Sequence, residues 1–127
     1  MNSQNPKILI VEDENIIALD IRSMLEDLGY MVSAVVSSGE ESIQKASKMK
    51  PDLVLMDIKL KGSIDGVSAG EEIYKQFRIP IVYLTAYSDQ ATINRINNGK
   101  NGNPSTVINK PFDEVELQTV IDNTLSN

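Results

Sequence analysis

Four short apolar runs in this chain each stop at a polar or charged residue, and that pattern narrows the fold more than any other feature. Leu53-Val54-Leu55-Met56 stops at Asp57, and Ile8-Leu9-Ile10-Val11 stops at Glu12 and Asp13. Ile81-Val82-Tyr83-Leu84 stops at Thr85, and Val107-Ile108 runs into Asn109-Lys110-Pro111. Unbroken apolar runs of this length read as strands buried on both faces, as in a parallel sheet. Segments of helical period lie between them. Ile17, Ile21, Met24, Leu25 and Leu28 mark one face of a first helix, with Gly29 as its C-terminal cap. Tyr30 to Val36 reads as a further strand. Ser38-Gly39-Glu40-Glu41 has capping-box spacing and opens a helix that stops before Pro51. Ile73, Tyr74 and Phe77 mark a third helix that ends near Pro80. Ser88-Asp89 caps a weaker helix through about Asn97, followed by a polar, turn-forming stretch from Asn97 to Ser105. Asp113-Glu114-Val115-Glu116 opens the last helix, with Leu117, Val120, Ile121 and Leu125 on its face. Five βα units in succession predict an α/β domain: one parallel sheet with helices on both faces. The domain is expected to span residues 1–127, with residues 1–6 as a flexible N-terminus.

If the strands are parallel, all four polar stops lie along one sheet edge. In open α/β sheets the C-terminal strand edge is where ligands bind. Three acids, a hydroxyl and a lysine would then share one crevice.

Composition removes several chemistries. The chain has no cysteine and no histidine, which excludes disulfides, thiolate or imidazole metal sites and histidine catalysis. Its net charge of −6 argues against direct nucleic-acid binding. No apolar stretch is long enough to insert in a membrane, and residues 1–6 have no signal-peptide character. A cytoplasmic location is expected.

Carboxylates held close together repel, so they either take up protons or recruit a cation. A site rich in oxygen and lacking nitrogen and sulfur ligands suits Mg²⁺, with water completing the octahedron. One carboxylate of such a cluster can attack phosphorus and form an aspartyl phosphate. Lys110 is placed to neutralise charge on the transferring group, and Thr85 to donate a hydroxyl to it. Singly, each residue has an ordinary explanation as a turn, cap or solvated charge. The ordered set at four strand ends does not.

That ordered set resembles the receiver domain of two-component response regulators over essentially the whole chain. The matching residues are Glu12-Asp13, Asp57, Thr85-Ala86 and Lys110-Pro111-Phe112. The resemblance implies a flavodoxin-like doubly wound sheet of order 2-1-3-4-5. It implies that Asp57 is the phosphoacceptor and that Glu12, Asp13, Asp57 and the backbone carbonyl of Lys59 hold Mg²⁺. Thr85 and Lys110 would bind the phosphoryl group, and the Lys110–Pro111 bond would be cis. Lys59 and Tyr87 stand where the family tunes water access to the acyl phosphate, so slow phosphoryl loss is expected. The implied partners are a sensor histidine kinase or phosphotransfer protein, and a downstream protein or output domain. The implied role is a switch rather than an enzyme, with only self-phosphorylation from phosphodonors and autodephosphorylation.

The chain also departs from the family pattern. After Asp57 it reads Ile58-Lys59-Leu60-Lys61-Gly62-Ser63-Ile64-Asp65-Gly66, with Lys61 where a proline is usual and one residue more. Val107 stands where an aromatic ring is usual, and Asn109 replaces an apolar residue before Lys110. Readout is therefore expected as ordering of the segment after Thr85 rather than as a ring flip. Three alternatives use the same fold or chemistry. A Mg²⁺-dependent phosphatase with an aspartyl-phosphate intermediate wants a second Asp two residues after the nucleophile, where this chain has Lys59. A flavin or nucleotide carrier wants a phosphate-cradling loop after the first strand, where Glu12-Asp13-Glu14-Asn15 would repel phosphate. A receiver-like module that binds partners without phosphorylation has no need of the intact acidic set.

Overall fold

The first strand, β1 (Lys7–Val11), lies inside the sheet, and both of its neighbours run parallel to it. A computed structural model describes residues 5–86, 91, 94 and 106–126. After β1 come α1 (Asn15–Asp27), β2 (Met31–Val36), α2 (Gly39–Met49) and β3 (Leu53–Asp57). Then follow α3 (Gly66–Phe77), β4 (Ile81–Thr85), β5 (Thr106–Asn109) and α4 (Glu114–Ser126). The sheet order is β2-β1-β3-β4-β5, with every adjacent pair parallel. This is the doubly wound architecture expected from the sequence. The weaker helix expected from Ser88 and the polar stretch after it lie outside the described residues.

Strand alternation divides the core in two. Leu9, Val11, Val54, Met56, Ile81 and Tyr83 face one side and pack with Ala46, Val67, Ala69 and Ile73 of α2 and α3. Ile8, Ile10, Leu53, Leu55, Val82, Leu84 and Ile108 face the other, against Ile21 and Leu25 of α1 and Leu117 and Ile121 of α4. β3 and β4 are buried along their whole length, which is why they read as unbroken apolar runs.

Caps fix where the helices begin. Ser38 accepts from the Glu41 N–H at 3.1 Å, and the Glu41 carboxylate reaches back to the Ser37 N–H at 3.2 Å. The box therefore closes one residue earlier than its usual form, on Ser37 rather than Ser38. Asp65 caps α3 by accepting from Ser68 N–H at 2.8 Å. The α3 helix begins with a glycine because the backbone of β3 is in the way. A Cβ on Gly66 would lie 2.1 Å from the Asp57 carbonyl oxygen. Gly70, one turn on, leaves room for the Tyr83 hydroxyl.

Candidate functional site

β3 pairs with β1 on one side and β4 on the other, so the winding reverses between β1 and β3. Such a switch point opens a crevice at the C-terminal strand ends. Glu12 and Asp13 leave β1 there, and Asp57 is the last residue of β3. Ligand oxygens of Glu12, Asp13 and Asp57 all lie within 4.8 Å of one another. Glu12 and Asp57 are buried, and Asp13 is half-buried at the rim.

Glu12 and Asp57 are each held by the loop that follows them. Glu12 Oε2 accepts from the Glu14 N–H at 3.2 Å, while its own N–H donates to the Val36 carbonyl at 2.9 Å. Asp57 Oδ1 accepts from the Lys59 N–H at 3.1 Å. The Lys110 ammonium reaches over from the end of β5. It lies 3.3 Å from Glu12 Oε1 and 3.5 Å from Asp57 Oδ2. The Lys110–Pro111 peptide bond is cis. Lys110 N–H donates to the Thr85 carbonyl at 2.9 Å, which registers the end of β5 against β4.

Burial raises the Glu12 carboxyl to about 7, and its hydrogen bond with Asp57 and the charge of Asp57 push the same way. Lys110 and the Glu14 N–H oppose that shift and do not cancel it. The donor set therefore has more negative charge than one ammonium balances. A hard divalent cation with oxygen ligands fits this deficit.

Thr85 is buried at the end of β4, and its hydroxyl donates to the Ala86 carbonyl at 3.2 Å. Leu84 pairs with Asp57, so Thr85 stands one residue past that pair on the same edge. The structure thus brings Glu12, Asp13, Asp57 and Lys110 together and puts Thr85 beside them. Lys59 is exposed on the loop that leaves Asp57. Tyr87 lies outside the described residues.

Two supports were not foreseen from the sequence. Gly66 allows α3 to start against the Asp57 backbone, and its N–H donates to the Ile58 carbonyl at 3.0 Å. Glu40 of α2 accepts from the Ser63 N–H at 3.3 Å and from the Ser63 hydroxyl, across 23 residues. The only local signal for the first was a glycine directly after Asp65. For the second there was none.

Residues 8–122 match the family model for the response regulator receiver domain. The phyllosphere-induced regulator PhyR of Methylorubrum extorquens is 35% identical over 120 residues, covering 94% of this chain and 43% of PhyR. The transcriptional regulatory protein PdtaR of Mycobacterium tuberculosis is 34% identical over 120 residues, covering 94% of this chain and 57% of PdtaR. The chain thus spans about half the length of these relatives. The signal receiver domain of a modulated diguanylate cyclase from Desulfovibrio desulfuricans superposes with a TM-score of 0.87 at 32% identity, covering 97% of this chain and 95% of that one. The receiver domain of the sensor histidine kinase PA1611 from Pseudomonas aeruginosa, solved with a magnesium ion coordinated in its active site cleft, gives 0.82 at 33% identity and covers 97% and 99%. With its sheet order, its acidic crevice and these matches, the chain belongs to the response regulator receiver domain family.

Proposed function

We propose that this domain is a Mg²⁺-dependent phosphorylation switch that accepts a phosphoryl group on Asp57 from the phosphohistidine of a sensor kinase or phosphotransfer protein. The observation that carries this reading is the buried Asp57 carboxylate at the end of β3, flanked by Glu12 and Asp13 and faced by Lys110. Glu12, Asp13, Asp57 and the backbone carbonyl of Lys59 would hold the ion, which supplies charge neutralisation to the phosphoryl oxygens when bound.

The protein's own groups perform the rest. An Asp57 carboxylate oxygen attacks phosphorus; the new P–O bond forms as the P–N bond to the donor imidazole breaks. The electron pair leaves with the imidazole, which takes its proton from solvent. Lys110, 3.5 Å from Asp57 Oδ2, stabilises the charge on the transferring group. Once Asp57 carries the phosphoryl group, its oxygens compete with Glu12 for that ammonium. Thr85 donates its hydroxyl to the group in place of the Ala86 carbonyl. Lys59 and Tyr87 limit water access to the acyl phosphate. The product acts on a downstream protein or output domain in the cytoplasm.

Incubation with acetyl phosphate tests this reading. A Mg²⁺-dependent mass gain of one phosphoryl group, lost on acid or base treatment, is expected in the wild type. No gain with Mg²⁺ present, or an equal gain in Asp57→Asn, would refute it.

A further inference from the structure

The loop that leaves Asp57 is closed at its base and held across at its tip. It runs from Ile58 to Asp65, and its ends meet where the Gly66 N–H donates to the Ile58 carbonyl at 3.0 Å. Such a closed surface loop keeps its shape through its own packing. Leu60 and Ile64 supply that packing, set against the core cluster under α2 and α3. Lys61, Gly62 and Ser63 form the exposed tip.

Three features aim this tip at the N-terminus of α2. Ser63 donates from its N–H, at 3.3 Å, and from its hydroxyl to the Glu40 carboxylate. Gly62 adopts a φ of +111°, a left-handed conformation that turns the chain toward Glu40. An added Cβ there would lie 3.3 Å from Glu40 Oε1. Beside Glu40, Gly39 packs so closely on the loop that a Cβ would lie 3.0 Å from the Ile64 carbonyl oxygen. The Ser63 bonds also hold the Glu40 carboxyl below the ordinary carboxylate range.

We infer that Glu40 is a positioning residue: through Ser63 it fixes the loop that orients Asp57 and presents the Lys59 backbone to the metal. The Lys59 N–H is already bound to Asp57 Oδ1 at 3.1 Å, so loop and carboxylate move together. Closing an untied loop of this length costs conformational entropy. Glu40 offsets that cost from outside the crevice. This inference rests on the metal reading given under Proposed function.

The test compares Glu40→Ala, Ser63→Ala, the double variant and Glu40→Gln. Amide hydrogen exchange at residues 59–64 is measured on metal-free protein. Affinity is then measured by titration with Mg²⁺ alone, and urea unfolding checks the fold. Both alanine variants should speed exchange and weaken Mg²⁺ roughly three- to tenfold, below the ~10–100-fold seen when a ligand's direct partner is lost. Ser63→Ala keeps the bond from its backbone N–H and should show the smaller effect, and the double variant should be no worse than Glu40→Ala, which already cuts both bonds. Glu40→Gln keeps a carbonyl acceptor at the same reach and should restore most of the affinity. Unchanged exchange overturns the tether. Faster exchange with unchanged Mg²⁺ affinity overturns the positioning role. A wild type that binds no Mg²⁺ overturns the metal reading and the positioning role with it. The exchange result still reads the tether in that case, so the two failures are distinguishable.

Discussion

Replacing Gly66 by alanine tests how tightly α3 is seated against the site. The new Cβ would lie 2.1 Å from the Asp57 carbonyl oxygen, 2.8 Å from Ile58 Cα and 2.9 Å from the Asp57 carbonyl carbon. The first contact is roughly 1 Å or more short of ordinary van der Waals approach. The opposing atoms are backbone, and Asp57 is paired into the sheet through Leu84 of β4. No side chain can swing aside. Overpacking typically costs about 1–3 kcal/mol, and a rigid backbone obstacle belongs at the upper end. Parting the two segments also stretches the hydrogen bond from Gly66 to the Ile58 carbonyl, a further loss of about 1 kcal/mol. Alanine returns up to about 1 kcal/mol of helix propensity, less at a first-turn position. The net expectation is a loss of about 3 kcal/mol.

Gly29 makes a control with a different physical cause. It has a φ of +93° and nothing within 4 Å of an added Cβ. Gly29→Ala should therefore cost only the left-handed backbone, about 1–2 kcal/mol. Urea unfolding followed by far-ultraviolet circular dichroism measures both. With a slope of about 1–3 kcal/mol per molar, the Gly66→Ala midpoint should fall by at least about 1 M. Gly66→Ala should also slow labelling by acetyl phosphate, because α3 pushes on the peptide of Asp57, the proposed phosphoacceptor. Stability of Gly66→Ala within about 0.5 kcal/mol of wild type, or a larger loss for Gly29→Ala, would show that the seating argument is wrong.

Asp57→Asn should lose acid-labile phosphorylation while Asp52→Asn keeps it, since Asp52 accepts from the Lys7 N–H at 2.8 Å at the opposite edge of the sheet; equal labelling would contradict the strand-end placement. In metal-free protein the folded state holds a proton on Glu12 up to about 7, whereas the unfolded state releases it near 4.5. Stability should therefore fall as pH rises through that window, by at most about 3 kcal/mol, and Glu12→Gln should abolish that slope. Parallel stability curves for the two proteins in chelator would remove Glu12 as the cause. Lys59→Ala and Tyr87→Ala should each speed loss of the phosphoryl group, and unchanged rates in both would refute shielding. Phosphorylation should raise amide protection across residues 88–106 if readout is an ordering step; no change there would eliminate that route.

The site was legible because its residues stand where apolar runs stop. A buried parallel strand must be apolar along its length, so its last residue announces itself as the first polar one. Glu12, Asp57 and Thr85 are the residues at which β1, β3 and β4 meet the crevice, and all three are buried there. Pattern alone did not supply the strand order; that came from the resemblance to receiver domains. β2 was the hardest strand to bound. It lies on the sheet edge, exposes Met31 and Val35, and shifts register against β1 between Ile8 and Leu9. Tyr30, expected inside it, precedes it instead and donates its hydroxyl to Asp122, 92 residues away.

What stayed hidden is long-range by nature. Gly66 and Gly70 read as poor choices for a helix until the Asp57 carbonyl and the Tyr83 hydroxyl are placed beside them. Glu40 reads as one of two acids in the first turn of α2, and its partner Ser63 as an ordinary loop residue. Their pairing depends on how far the N-terminus of α2 and the β3–α3 loop project toward each other, and no local period records that. The carboxylates of the crevice follow from where each strand ends, whereas the groups that hold them still depend on which ends become neighbours. Substitutions at Asp57 and Lys110 therefore test the chemistry of the crevice. Substitutions at Gly66, Glu40 and Ser63 test whether the surrounding fold has been placed correctly.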